Sequence, residues 1–180
     1  MKVYFRKARK EDIKEIMMII RSAQDLLKED GSDQWQDGSP SREQVLQDIE
    51  ENLCHLLLIN DCIVGTASLL ERPDPNYHAI YQGEWQYQAK YTTIHRLAID
   101  QSYRGRGLAS NFLAYLISYS LSKGFNYIRI DTHEQNYRVQ ALVESFNFHC
   151  SGLVYVSPGP KGERLVYELE IEALNESKSK

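Results

Sequence analysis

An apolar run at residues 93–99 leads into a helical pattern through a short segment rich in glycine and arginine, "YRGRGLA". A strand that enters a helix through such a loop predicts a β-loop-α unit. Gly105 and Gly107 carry no Cβ, so the backbone can approach a ligand closely. The first turn of a helix offers free N–H groups and a partial positive charge. Residues 104–109 therefore predict a site for a diphosphate. A glycine-rich turn with two solvated arginines remains the alternative.

Apolar periodicity places the remaining elements. Helical spacing predicts helices after residue 10, over residues 107–123 and over residues 136–146. It also predicts a helix that Ser39 caps, with Pro40 in its first turn. Apolar runs predict strands near residue 5, in a hairpin around Asn60-Asp61, at residues 91–100 and 127–132, and in a closing hairpin. The order β-α-α-β-β-β-α-β-α-β-β predicts one α/β domain with a mixed sheet over residues 1–174. Residues 175–180 are expected to be a disordered tail.

Composition excludes several classes of protein. The formal net charge is −4, which argues against a nucleic-acid binder. The three cysteines lack metal-site spacing, so we expect no metal, and Cys54 and Cys62 are expected in the core. The N-terminal segment has no signal-peptide layout, and no segment approaches the roughly 20 apolar residues of a membrane span. We therefore expect a cytoplasmic protein without membrane contact.

Two motifs carry a family resemblance. "YRGRGLA" resembles the [RQ]-x-x-G-x-[GA] signature of the GNAT superfamily of N-acetyltransferases, with Arg104, Gly107 and Ala109 at its fixed positions. "NYRVQALVESFNF" is similar to the family's later motif, with Asn136 and Leu142 in place. The other phosphate-loop signatures fit poorly, because neither the Walker A nor the full Rossmann spacing is present.

The resemblance implies a mixed, mostly antiparallel sheet in which two parallel strands splay apart, and acetyl-CoA as cosubstrate. It also implies which residues hold that cosubstrate: Leu97, Ala98, Ile99, Arg104, Gly105, Arg106, Gly107, Leu108, Ala109 and Asn136. The strand residues among them would bind pantetheine and supply an N–H for the developing oxyanion. Members of the family often dimerise, so a homodimer is compatible with the resemblance.

The sequence leaves more than one candidate for the general base. Thr93 occupies the position at which some relatives carry a glutamate, and a threonine cannot take that role. His95 lies two residues on and shares the strand face, and imidazole suits proton transfer near neutral pH. The alternatives are that His95 only shapes the wall and that Glu84 or a water chain takes the proton.

The general acid and the acceptor pocket are equally open. The family's frequent acidic tyrosine is Val143 here, and Tyr137 is the nearest replacement. The aromatic segment 71–90 and the loop around Trp35, which precedes the second predicted helix, predict an acceptor pocket that favours an apolar or cationic amine. Its candidate residues are Trp35, Tyr77, Tyr81, Trp85 and His133. The aromatic residues could equally cover the sheet edge as a local core.

The sequence as a whole predicts an acetyl-CoA-dependent N-acetyltransferase acting on a primary amine of a small molecule or peptide. A module that binds acyl-CoA without catalysis is the alternative, and Val143 favours it slightly.

Overall fold

The computed structural model describes residues 2–171 and contains every element that the apolar pattern predicts, in the predicted order. The strands are β1 (Val3–Lys7), β2 (Cys54–Ile59), β3 (Cys62–Leu70), β4 (Tyr91–Ile99), β5 (Tyr127–Thr132), β6 (His149–Tyr155) and β7 (Glu163–Glu170). The helices are α1 (Ile13–Glu29), α2 (Arg42–Glu50), α3 (Leu108–Ser122) and α4 (Tyr137–Glu144). The expected tail at residues 175–180 lies outside the described residues.

The strands form one seven-stranded sheet in the order β1-β2-β3-β4-β5-β7-β6. Every neighbouring pair is antiparallel except β4 and β5, which are parallel. The predicted mixed, mostly antiparallel sheet is therefore confirmed. The parallel pair requires a crossover, and α3 provides it.

Helices cover both faces of the sheet. Leu57 and Ile59 of β2 pack in one core with α3, while Leu56 and Leu58 pack in another with α1 and α2. Alternate residues of a strand point to opposite faces, so β2 must be apolar at nearly every position. Its unbroken apolar run reflects this double burial, and all six of its residues are buried.

Two local expectations were wrong. Helix α2 is capped by Ser41, whose side chain accepts from the N–H of Gln44, rather than by Ser39. The capping box formed by Ser41 and Gln44 satisfies the first turn and fixes the helix start two residues later. Cys54 is buried as expected, but Cys62 is exposed because it begins β3 at the open hairpin turn.

The aromatic segment 71–90 is held on the sheet by a buried ion pair. Arg129 of β5 donates to Glu168 of β7 at 3.0 Å, and its guanidinium lies 3.6 Å from the Trp85 ring centroid and 3.9 Å from that of Tyr91. Glu168 also accepts from the N–H of Gln86 at 2.8 Å. These contacts turn the segment into a local core over the β5–β7 end of the sheet.

No helix within residues 2–171 is both long enough and apolar enough to cross a membrane.

Candidate active site

A bulge in β4 opens the sheet at its centre. His95 pairs with Ser68 and Ala98 pairs with Thr66. An advance of three residues along β4 therefore lies opposite an advance of two residues along β3. Arg96 takes up the extra residue in the left-handed region, with φ of 56°. Pairing with β5 ends at Ile94 and Ile130, although β4 continues for five more residues. The parallel strands therefore separate, as predicted, and a cleft opens between them.

A cavity of about 220 Å³, the smaller cavity, occupies this cleft. Six residues predicted to hold the cosubstrate line it: Leu97, Ala98, Ile99, Arg104, Ala109 and Asn136. The rest of its wall comes mainly from apolar residues of α1, β4, β5 and α4. A mainly apolar cleft of this kind suits an extended, uncharged chain such as pantetheine.

The other predicted cofactor residues form the loop at the mouth of this cavity. Gly105 and Gly107 have φ of 74° and 69°, and a Cβ at either position would meet no atom within 4 Å. Both glycines are therefore required by backbone conformation, and both face open space. No side chain caps α3 at Gly107, in contrast to α2 and α4, which Ser41 and Asn136 cap. The first N–H groups of α3 are thus available to a diphosphate, while Leu108 is buried in the core and anchors the helix start.

A second cavity of about 640 Å³, the larger cavity, adjoins the first. Four residues line both cavities: Gln34, Trp35, Arg96 and Asp131. The two spaces therefore meet at the β4 bulge, beside the end of the β4–β5 pairing. His95 lines the larger cavity close to this junction.

His95 lies between two carboxylates. Its Nε2 is 2.6 Å from Oδ2 of Asp74, and its Nδ1 is 3.7 Å from Oδ2 of Asp131. The Tyr77 hydroxyl donates to the same Asp131 oxygen at 2.6 Å. Burial opposes the ionisation of Asp74, but hydrogen bonds from His95 and Asn76 outweigh it and lower the pKa of Asp74. Burial, with the charge of Asp131, raises the pKa of Tyr77 well above its ordinary value, so Tyr77 stays protonated as a donor.

The arrangement fixes the proton on the histidine ring. Asp74 is ionised and can only accept, so Nε2 of His95 carries the hydrogen that it shares with Asp74. In the neutral ring Nδ1 is then the nitrogen with a free lone pair. That lone pair faces Asp131 at the junction of the two cavities.

A second polar network supports the bulge. Arg96 donates from Nη1 to Asp48 of α2 at 2.6 Å, and the Ser68 hydroxyl donates to the same carboxylate oxygen. Asp48 is 7% exposed. These bonds tie α2 to β3 and β4, and they hold Arg96 in a backbone conformation that is costly for any residue other than glycine.

Asn136 has two structural partners as well as its place in the smaller cavity. Its Oδ1 accepts from the N–H of Val139 at 3.3 Å and so caps α4. Its Nδ2 donates to Oε1 of Gln34 at 2.9 Å. Gln34 is 9% exposed and lines both cavities, so Asn136 links the start of α4 to the junction.

The remaining predicted residues are spread more widely. Trp35 lines both cavities and His133 donates its backbone N–H to Gln34 at 3.3 Å. Three aromatic residues of the segment 71–90 lie outside the two cavity linings: Tyr77 and Trp85 pack over the sheet, and Tyr81 stacks edge-on against Tyr155. Glu84 is exposed and its N–H donates to the Ser151 carbonyl. Tyr137, the first residue of α4, is 70% exposed.

Val143 is fully buried in the core that α3 and α4 share with the sheet, so its side chain serves packing in this chain. Within residues 2–171, no group of three or more His, Cys, Asp or Glu side chains is arranged to hold a metal ion.

Sequence reasoning missed Asp74, Asp48 and Arg164, which also lines the larger cavity. Asp74 carried one local signal, because "PDPN" is a turn sequence in which an aspartate caps the turn. Its partner His95 is 21 residues away, and no local pattern links the two.

Comparisons with known proteins agree with this geometry. Residues 20–148 match the sequence profile of the acetyltransferase (GNAT) family. The crystal structure of a GNAT-family acetyltransferase from Streptococcus agalactiae 2603 is 33% identical, with a TM-score of 0.84 over 95% of this chain and 96% of that one. A GNAT-family acetyltransferase from Listeria monocytogenes 4b F2365 is 20% identical, with a TM-score of 0.73 over 93% and 94% of the two chains.

A third structure shares the fold at lower identity. The ribosomal-protein-S18-alanine N-acetyltransferase of Escherichia coli is 16% identical, with a TM-score of 0.67 over 98% of each chain. No curated protein sequence matches this chain significantly. The family match extends over the cleft, the glycine loop and the junction described above, and the streptococcal structure aligns with 95% of this chain. The chain therefore belongs to the GNAT family and is an acetyltransferase, and acetyl-CoA is the cosubstrate of that family.

Proposed function

We propose that this protein transfers the acetyl group of acetyl-CoA to a primary amine of a small molecule or peptide. The observation that carries the proposal is the junction at the β4 bulge. There the mainly apolar cavity beside the glycine loop meets the larger, more polar cavity. A thioester held in the first would face an acceptor held in the second.

The chain's own groups fit acetyl-CoA at three places. The uncapped start of α3 and the open glycines would receive the diphosphate, with Arg104 and Arg106 adding positive charge. Residues 97–99 would lie along the pantetheine arm. Because β4 leaves its partner β5 after Ile94, backbone groups on that side are available to the arm and to the developing oxyanion.

His95 is the proposed general base. Acetyl-CoA, when bound, supplies a thioester carbonyl that the acceptor nitrogen attacks, so that a C–N bond forms as the C–S bond breaks. An ammonium ion has no lone pair, so its proton must leave first. Nδ1 of His95 and Oδ2 of Asp131 are 3.7 Å apart, too far to bond each other. An ammonium group between them can donate to both at about 2.8 Å and pass one proton to Nδ1.

Protonation of the leaving group places a smaller demand on the protein. A thiol has a pKa of about 8.5, so its thiolate is a fair leaving group without a strong acid. Burial of Val143 therefore does not argue against catalysis. Tyr137 is adjacent in sequence to Asn136 and Arg138, which both line the smaller cavity. It remains the candidate general acid for protonating the leaving thiolate.

A thiol-release assay with acetyl-CoA and a panel of primary amines and short peptides tests the proposal. We expect release that depends on the amine, together with an acetylated product of matching mass. Tight binding of acetyl-CoA by calorimetry without amine-dependent release would instead favour the non-catalytic acyl-CoA-binding module.

A further inference from the structure

Three arginines line the larger cavity, and two of them are already engaged. Arg72 is 2.6 Å from a carboxylate oxygen of Glu51, and Arg96 is 2.6 Å from one of Asp48. The third, Arg164 of β7, makes no ion pair within 4.0 Å among the described residues. Its charge is therefore the one arginine charge in this lining that no acidic partner within residues 2–171 neutralises directly.

The Arg164 guanidinium is held in place by one of its nitrogens. Nη1 donates to the backbone carbonyls of Lys161 at 2.8 Å and Glu163 at 2.7 Å. A guanidinium has five N–H groups, and two of them belong to Nη1. The other three, on the edge formed by Nε and Nη2, remain free to donate. Partial burial lowers the pKa of Arg164, and the charges of Asp131 and Asp37 oppose that shift. A fixed edge of two parallel donors matches a carboxylate.

Strand register places Arg164 beside the proposed catalytic groups. Asp131 pairs with Val166, and Arg164 lies two residues before Val166 on the same strand, so it shares that face of the sheet. Diagonal neighbours of this kind are about 7–8 Å apart between their Cα atoms, within reach of a long side chain. On the other side, β4 places His95 next to Asp131. His95, Asp131 and Arg164 thus form one row of side chains. They are the proposed base, a carboxylate and a guanidinium without an ion pair.

We propose that the acceptor is a free amino acid, whose carboxylate binds Arg164 while its amine lies between His95 and Asp131. The assignment rests on the proposed function and specifies its substrate class. A carboxylate matches the flat edge formed by Nε and Nη2, and the aspartates in the same lining oppose a ligand with more than one negative charge. Lys161 also lines the cavity without an ion pair among the described residues, but its side chain is exposed. Because Arg164 and Asp131 are diagonal neighbours in the sheet, one small ligand can reach both side chains, and a free amino acid carries its amine and its carboxylate on one carbon.

The test compares free amino acids with their amides. Phenylalanine, leucine and glutamate are each assayed beside the corresponding α-carboxamide, with thiol release from acetyl-CoA as the readout. We expect wild type to prefer the acids. In Arg164→Gln the acid-to-amide ratio of kcat/KM should fall by on the order of 10- to 100-fold, the range for loss of a charged hydrogen-bonded pair. Arg72→Gln removes one charge from the same cavity and should leave the ratio unchanged.

The outcomes separate this inference from the proposed function. Equal use of acids and amides by wild type, or an unchanged ratio in folded Arg164→Gln, overturns the amino-acid assignment and leaves amine acetylation standing. Should Arg164→Gln not fold, Arg164→Lys keeps the charge without the fork and should lower the same ratio. If acetyl-CoA binds but neither these compounds nor other primary amines release thiol, both proposals fail together.

Discussion

Replacing Asp74 with asparagine tests the proposed role of His95 with little structural change. The Asp74 side chain is 3% exposed, and its Oδ2 is 2.6 Å from Nε2 of His95. Its other oxygen accepts from the N–H of Asn76 at 2.8 Å and caps the turn at Pro75–Tyr77. In Asp74→Asn the amide oxygen can accept only one of these two bonds. The substitution keeps the shape of the side chain and removes its charge.

The expected size of the effect follows from that charge. A hydrogen bond to a charged group contributes about 1.5–3 kcal/mol and a neutral one about 0.5–1.5. Their difference of about 1–1.5 kcal/mol corresponds to roughly tenfold in rate. The imidazole becomes positive as it takes the amine proton, and Asp74 stabilises that charge. We therefore expect kcat to fall about tenfold in Asp74→Asn and on the order of 100-fold or more in His95→Ala.

The assay is thiol release across the pH range in which imidazole titrates. Without the carboxylate the protonated ring is less stable, so kcat/KM should fall throughout this range. Asp33→Asn is the matched control, because Asp33 is an exposed carboxylate in the same cavity lining. If Asp74→Asn and His95→Ala both keep the wild-type rate and pH profile, His95 is a wall residue and the proton leaves by Glu84 or water.

The same variant has a second, independent readout in stability. Folding lowers the pKa of Asp74, so its contribution is fully present above the unfolded value of about 3.9 and is lost as pH falls through the folded value. The melting temperatures of wild type and Asp74→Asn should therefore begin to converge as the pH falls below about 4. A difference that is constant with pH would show that the charge of Asp74 does not stabilise the fold.

Three other substitutions address the cofactor loop, α4 and the aromatic segment. Gly107→Asp should weaken acetyl-CoA binding at least about tenfold by calorimetry. The control is Gly124→Asp, which is also at positive φ but lies beyond the far end of α3 and should bind acetyl-CoA normally. Equal affinities of the two variants would contradict the diphosphate site. Asn136→Ala should lower the free energy of unfolding by about 1 kcal/mol through the lost cap, and it should also weaken CoA binding. A loss of stability without weaker CoA binding would show that Asn136 serves only as a helix cap. Arg129→Met leaves Glu168 buried without its cation and should lower the free energy of unfolding in denaturant by about 3–5 kcal/mol. A decrease of under about 1 kcal/mol would show that the ion pair is dispensable.

Local sequence signals were sufficient for the elements themselves. The turn at Asn60 and Asp61, both at positive φ, joins two apolar runs, and this combination predicts a hairpin with little ambiguity. The glycines before α3 were equally informative, because their conformation is left-handed and no residue with a Cβ adopts it freely. In both places the information is contained in a few consecutive residues.

The polar partners of the site could not be predicted in this way. Asp48 and Arg96 are 48 residues apart in the chain, and their contact depends on how α2 packs against the sheet. The sequence of the aromatic segment was ambiguous for a related reason. Its composition fits a binding pocket and a local core equally well, and the buried Arg129 decides in favour of the core for Trp85. Tertiary contacts, which have no sequence period, make that choice.

The β4 bulge accounts for most of the site through one extra residue. By lengthening β4 relative to β3, it ends the pairing with β5 at Ile94 and opens the cleft. The same extra residue turns His95 into the larger cavity while Leu97 lines the smaller one, although strict alternation would place them on one face. The left-handed conformation of Arg96 is the cost, and its bond to Asp48 offsets part of it. Cofactor channel and proposed base are therefore not independent features of this fold, since a regular strand at residues 95–98 would remove both.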